Sequence, residues 1–278
     1  MTLKMRHALT PGAGALALLL ALPAYAQDQP PLAVAADPAG AQVQTAPRPA
    51  GVGDPYWSTI GGYEVDSHET GFGFFGPQYI HPIRRNVALV ASGNVNYLHY
   101  EFTNALGGNT NVRSPGFTGM GGVMIGERNW FLFSAGPSFK RRHIEVLAAD
   151  GTTITTDKDW HVGFNLGASA WIDPTDHNNI FAMYNFETVD QYHWGRLAYK
   201  EQIGNRGFAG RWTPYLGAEY IGQGNPDIVS NQFGGFLEVA HASGMSVMFR
   251  GGWKHSSFDF GPDRTGPWVA IGFYQRLR

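Results

Sequence analysis

Between residues 160 and 172 every second position is apolar: Trp160, Val162, Phe164, Leu166, Ala168, Ala170 and Ile172. Between them stand His161, Gly163, Asn165, Gly167, Ser169 and Trp171. A helix would scatter the apolar set around its circumference and carry two interior glycines, whereas a strand gathers it on one face. At ~3.3 Å per residue this strand spans roughly 40 Å, well beyond the ~17–20 Å of an ordinary globular strand, and tilted by ~45° it crosses a hydrocarbon layer. The alternation recurs. In 129–143, Phe131, Phe133, Ala135 and Phe139 alternate with Leu132, Ser134, Ser138, Lys140 and Arg142; in 211–222, Trp212, Leu216, Ala218 and Tyr220 alternate with Thr213, Tyr215, Gly217 and Glu219. In 265–277, Val269, Ile271 and Phe273 oppose Ala270, Gly272 and Arg276.

Read this way, the chain predicts strands at 56–66, 70–82, 86–102, 115–127, 129–143, 159–172, 179–188, 192–203, 211–222, 231–242, 245–257 and 265–277. The second and fourth are rich in Gly and Phe, and their facing is ambiguous. An even number of strands returns the chain to its starting side. The connections 83–85, 127–129, 173–178, 204–210 and 243–244 then fall on one side, and the longer 103–114, 144–158, 223–230 and 258–264 on the other. Short periplasmic turns and long outer loops are the habit of outer-membrane barrels. The expected fold is an all-β transmembrane antiparallel up-and-down β-barrel of about twelve strands over 56–278. Trp57, Trp130, Trp160, Trp194, Trp212, Trp253 and Trp268 fall near expected strand ends, where interfacial girdles belong. A soluble β-sandwich could share the alternation, but not strands of this length behind a secretory signal.

That signal is legible at the N-terminus. Lys4 and Arg6 precede an apolar run at 13–22, and Ala24-Tyr25-Ala26 follows, so 1–26 reads as a signal peptide cut before Gln27. Residues 27–55, rich in Ala, Pro and Gln, lack the large apolar side chains that would offset ordering, and read as a disordered periplasmic segment. The chain has no Cys, hence neither a lipoprotein anchor nor a disulfide framework. A net charge of −2 gives no reason to expect nucleic acid, and the ten His have no metal-ligand spacing. No cofactor, metal or catalytic residue is expected. Outer-membrane lipid is the expected surrounding.

If the polar faces point inward, the lumen gathers Asn94, Asn96, Asn165 and Asn185 with a mixed-charge set. Lys140, Arg142, Arg196, Lys200, Arg250 and Lys254, with His161, face Glu64, Glu187, Glu219 and Glu238. A self-paired network holding the strands in register and a polar conduit for solute both fit this set. A hydrolase is a third reading, since Lys254-His255-Ser256-Ser257 puts His255 and Ser257 on one face beside Trp253. This His-x-Ser pair resembles the motif of outer-membrane lipid A deacylases, which continues with Asn where this chain has Phe258. No acidic partner for a triad is identifiable.

Several landmarks carry a family resemblance. They are Tyr56-Trp57 with Gly61-Gly62-Tyr63, the run Tyr192-His193-Trp194-Gly195-Arg196-Leu197-Ala198-Tyr199, Pro214-Tyr215-Leu216-Gly217-Ala218-Glu219 leading to Gly222, and Phe233-Gly234-Gly235-Phe236 before a Gly-rich hairpin. Over most of 56–277 the chain resembles the barrel family of bacterial cellulose biosynthesis, BcsS. It departs at the end, where Phe273-Tyr274-Gln275-Arg276-Leu277-Arg278 lacks a terminal aromatic. The resemblance implies a non-enzymatic outer-membrane accessory to cellulose or exopolysaccharide production, working beside an inner-membrane synthase. Its partners would be that machinery and a β-glucan, for which Tyr192 and Trp194 are the candidate stacking residues. A porin-like channel and a deacylase-like hydrolase are the alternatives.

Overall fold

The computed structural model describes residues 55–68, 70–103, 107–189, 191–203, 212–226, 228–258 and 262–277. The expected signal peptide (1–26), residues 27–54 of the expected disordered segment and the 204–210 connection lie outside them. The described residues form twelve strands: β1 (Tyr56–Asp66), β2 (Gly71–Arg84), β3 (Val87–Thr103), β4 (Asn109–Gly126), β5 (Trp130–Leu147), β6 (Thr153–Ile172), β7 (Asn178–Glu187), β8 (Tyr192–Gln202), β9 (Trp212–Asn225), β10 (Ile228–His241), β11 (Met245–Phe258) and β12 (Arg264–Leu277). Each pairs antiparallel with its neighbours in sequence, and β12 returns to β1 through Trp57↔Leu277 to Asp66↔Trp268. The sheet is therefore a closed cylinder without an edge, one of the two ways a backbone can satisfy its hydrogen bonds in lipid.

The faces sort as the alternation requires. Phe133, Val162, Leu216, Phe249 and Val269 are exposed on the outer wall, while Ser138, Met124, Ile221, Gln232 and Glu238 are buried inside. The Gly- and Phe-rich strands settle the same way, with Phe75 and Phe117 outward and Ile80 and Met124 inward. Three expected girdle residues do not belong to the girdle. Trp130 and Trp268 are each 1% exposed and point into the lumen, and Trp194 shares the inward parity of Ala198 and Lys200 on its strand, whereas Trp57, Trp160 and Trp253 stand on the outer wall. Nearness to a strand end sets only the height of a side chain; its parity sets the face, and Trp130 shares parity with Leu132 and Lys140.

The largest departures from the expected strands lie at the hairpin end. β4 begins at Asn109, β5 runs to Leu147 and β6 starts at Thr153, so 109–114 and most of 144–158 are paired strand rather than loop. Similarly, β9 runs on to Asn225 and β10 begins at Ile228, so most of the expected 223–230 loop is paired strand. Polar composition made these stretches look like loops, yet beyond the bilayer the outer face of a hairpin meets water and needs no apolar row, while Thr110, Val112 and Ser114 are buried on the inner face of β4. Thr110, Val112, Ile144, Val146 and Ile154 supply the β-branched content that pairing favours. Gly151 takes φ +82° in the β5–β6 turn, where Thr152 N–H donates to Asp150 Oδ1 (2.9 Å) and holds that carboxyl below the usual carboxylate range. The wall is uneven. β7 and β8 have 10 and 11 residues, and β6 pairs with β7 only over Asn165–Ile172, so the outer half of β6 rises above its neighbour.

Leu237 lies on the outer wall between Leu216 of β9 and Phe249 of β11. Leu237→Arg should lower the unfolding free energy in liposomes by about 2–4 kcal/mol, the midplane cost of a lipid-facing cation. Urea titration followed by tryptophan fluorescence measures this, with Leu237→Ala as the reference.

Candidate functional site: a filled, charge-paired lumen

Three layers occupy the lumen. At the end where β1 begins and β12 stops, Tyr56, Ile80, Ala88, Val90, Met124, Trp130, Leu132 and Trp171 form one apolar cluster with Phe181 packed against it. The rings of Trp130 and Trp171 stack with centroids 6.4 Å apart and planes 9° from parallel. Trp171 Nε1 donates to Asp173 Oδ1 (2.7 Å), to which Asn179 Nδ2 also donates (3.1 Å), fixing the cluster against the β6–β7 turn.

Above this cluster lies a belt of ion pairs, most of which skip a strand. Arg196 Nε on β8 donates to Glu219 Oε2 on β9 (2.6 Å), and Arg250 Nε on β11 donates to the other oxygen of the same carboxylate (2.7 Å). The farther guanidinium nitrogen of Arg250 lies 3.9 Å from Glu64 Oε2 on β1, whose other oxygen accepts from Gln232 Nε2 on β10 (2.6 Å). Lys200 on β8 pairs with Glu238 on β10 (2.7 Å), and its ammonium sits 5.0 and 4.7 Å from the ring centroids of Trp171 and Tyr215. Lys140 of β5 pairs with Glu187 of β7, which Ser138 also reaches. Lys254 of β11 pairs with Asp66 of β1 (2.9 Å). The side chains of Glu219 and Glu238 are wholly buried. Five cations (Lys140, Arg196, Lys200, Arg250, Lys254) thus meet five carboxylates (Glu64, Asp66, Glu187, Glu219, Glu238). The belt is neutral, as burial of charge demands.

Nearer the hairpin end, Glu64, Phe72, Tyr100, Tyr192, Gln223 and Lys254 line a cavity of about 30 Å³. That volume admits about one or two waters. Through the apolar cluster and the belt, buried side chains fill the lumen.

Of the residues singled out from sequence, Glu64, Lys140, Glu187, Arg196, Lys200, Glu219, Glu238, Arg250 and Lys254 lie in the belt. His161 stands opposite Lys140 in register, with its Nε2 buried and without a hydrogen-bond partner. Arg142 shares the face of Lys140 one step farther out, opposite Asp159. Asp66, Gln232 and Ser138 were missed, although each shares parity with a residue already chosen: Asp66 with Glu64, Gln232 with Glu238, Ser138 with Lys140. Tyr192 and Trp194 share the inward parity of Arg196 and Lys200. Tyr192 Oη donates to Gln223 Oε1 (2.8 Å), and Lys140 Nζ stands 5.5 Å from its ring centroid.

The His255 cluster is outside the belt, on the exposed wall. His255 Nε2 lies 3.3 Å from Ser257 Oγ and 3.8 Å from Asp263 Oδ2, and Nδ1 meets Thr265 Oγ1 at 2.9 Å. A triad needs the hydroxyl on one ring nitrogen and the carboxylate on the other. Here both approach the same nitrogen.

The family model for cellulose biosynthesis protein BcsS matches residues 88–277. No curated protein matches the chain. Among solved structures, it is similar to the beta domain of the Bordetella autotransporter BrkA, at 12% identity and TM-score 0.49 over 80% of this chain and 98% of that one. It is also similar to the translocator domain of the autotransporter NalP from Neisseria meningitidis (9% identity, TM-score 0.43, 80% and 88% covered). A third likeness is to the CymD monoaromatic hydrocarbon channel (8%, 0.42, 81% and 89%).

Glu219→Gln leaves two buried guanidinium groups facing an amide and should destabilise the barrel by about 3–5 kcal/mol. Replacing Lys200 and Glu238 together by Met should cost far less than either single change, because no unpaired charge is left behind. Denaturant titration of the refolded barrel in detergent measures both.

Proposed function

Since the chain belongs to the cellulose biosynthesis protein BcsS family, we propose that it is a non-enzymatic outer-membrane accessory of cellulose or related exopolysaccharide production, acting at the surface beside the polymer and not as its conduit. In this reading residues 1–26 direct secretion and are removed, and 27–55 extend into the periplasm toward the synthesis machinery. The observation that carries the reading is the filled lumen within a chain of this family. A glucan strand would have to displace the ion-pair belt and the Trp130–Trp171 stack. Loss of either leaves buried charge or cavity, at a cost no neutral polymer returns. Contact with a β-glucan falls instead to the mouth of the barrel at the hairpin end, where β8 begins on the low side of the wall and Tyr192 and Trp194 face inward. Their rings are candidate stacking platforms for sugar faces.

In-frame deletion of the gene should reduce cellulose-dependent surface attachment, as read by dye binding and by retention of cells on the polymer, and complementation should restore it. A Tyr192→Ala, Trp194→Ala double variant should complement poorly although it reaches the membrane folded. Unchanged attachment in the deletion strain would end this reading. In planar bilayers the purified barrel should give no discrete conductance steps; regular steps would favour a porin instead. A shift in lipid A mass that depends on His255 would favour a hydrolase.

A further inference from the structure

The outer wall changes character along one arc. On β3 the outward residues run Val95, Tyr97, then His99; on β4, Phe117, Pro115, then Arg113. On β5 they run Phe139, Arg141, then His143, and on β6 Val162, Trp160, then Lys158. Pairing sets these side by side. Val95↔Phe117↔Phe139↔Val162 is an apolar row, and His99↔Arg113↔His143↔Lys158 is a basic row directly across all four strands, with Arg141 opposite Trp160 just below it. Trp160 is 68% and Tyr97 42% exposed on this wall, which marks the height where hydrocarbon gives way to head groups. Arg113, Arg141 and Lys158 are exposed, and none makes an ion pair with another described residue. Among the described residues, no other strand places an Arg or Lys on its outward face at this end. Glu101 and Glu145 come one step farther into water, on the far side of the basic row.

Arg113 and Lys158 each stand diagonal to Arg141 across the sheet, within reach of long side chains, and like charges held this close repel unless something negative lies over them. In the belt each cation has its carboxylate; on this arc the described carboxylates, Glu101 and Glu145, make no ion pair with Arg113, Arg141 or Lys158. We infer that the β3–β6 wall binds a phosphate-bearing glycolipid of the outer leaflet, its acyl chains against Val95, Phe117, Phe139 and Val162 and its phosphates on Arg113, Arg141 and Lys158. The geometry suits an amphiphile and not a free anion, because the cations sit at the upper border of an apolar wall. Guanidinium groups take phosphate oxygens in pairs, and the ammonium adds a point charge.

The test uses the folded barrel in a neutral detergent, incubated with bisphosphorylated lipid A and read by native mass spectrometry for retained lipid. Wild type should hold the lipid, and an Arg113→Gln, Arg141→Gln, Lys158→Gln triple variant should bind at least tenfold more weakly. The same number of charges removed at the opposite rim, by Arg84→Gln, Arg85→Gln and Arg128→Gln, should leave binding unchanged. Heat-modifiable electrophoretic mobility verifies folding of each variant, and Arg113→Lys with Arg141→Lys should recover part of the binding should the Gln variant misfold. Lipid A stripped of its phosphates should bind as weakly to wild type as intact lipid A does to the triple variant. Equal retention of the stripped lipid, an unchanged adduct in the folded triple variant, or displacement by inorganic phosphate would each overturn the inference.

Discussion

A polar group that faces hydrocarbon finds no partner there, and this shapes both walls of the barrel. For the backbone, the answer is closure: β12 meets β1 along most of its length, so no row of amides is left over. For the side chains it is sorting by parity. What cannot face lipid must face inward, and what faces inward must then be paired, because the interior is packed too tightly for bulk water. The belt from Glu64 through Arg250, Glu219 and Arg196 is the second half of the condition that the sheet itself satisfies in the first.

That linkage explains why the lumen looks more like the core of a soluble protein than like a pore. Apolar packing of Ile80, Met124, Trp130 and Trp171 closes one end, and the charges above it are neutralised pair by pair. The cations at the outer rim differ in kind. They have no inward obligation, and they stand where the membrane itself carries charge. The barrel is also lopsided: tall across β3 to β6, low across β7 and β8. Its two candidate contact regions, one for lipid and one for sugar, thus lie on different arcs of one cylinder.

Much of the fold is legible in the residues because a transmembrane strand must repeat its two-residue rhythm without error. Phe131 to Lys140 and Trp160 to Ile172 could be assigned to faces before any coordinate was known, and the belt residues follow from parity alone. Height and partner were harder to read. Nothing in Trp130 or Trp268 distinguishes a girdle ring from a lumen ring except the parity of neighbours, and nothing in a run such as 144–158 distinguishes an irregular loop from a hairpin wet on its outer face. Which carboxylate meets which cation depends on stagger around the cylinder. Asp66 was passed over for Lys254 because the two come together only when β1 and β11 are two strands apart across the seam.

The seam has a further consequence. Lys254 with Asp66, and Gln232 with Glu64, join residues 188 and 168 positions apart along the chain. Neither partnership can exist until the last strand has been laid against the first. Until that moment Lys254 and Gln232, and the Glu64 and Asp66 carboxylates they meet, keep their hydration shells, so loss of that water is deferred to a single late event. Insertion of this barrel should therefore resemble the shutting of a clasp, with ring closure and drying of the interior occurring together.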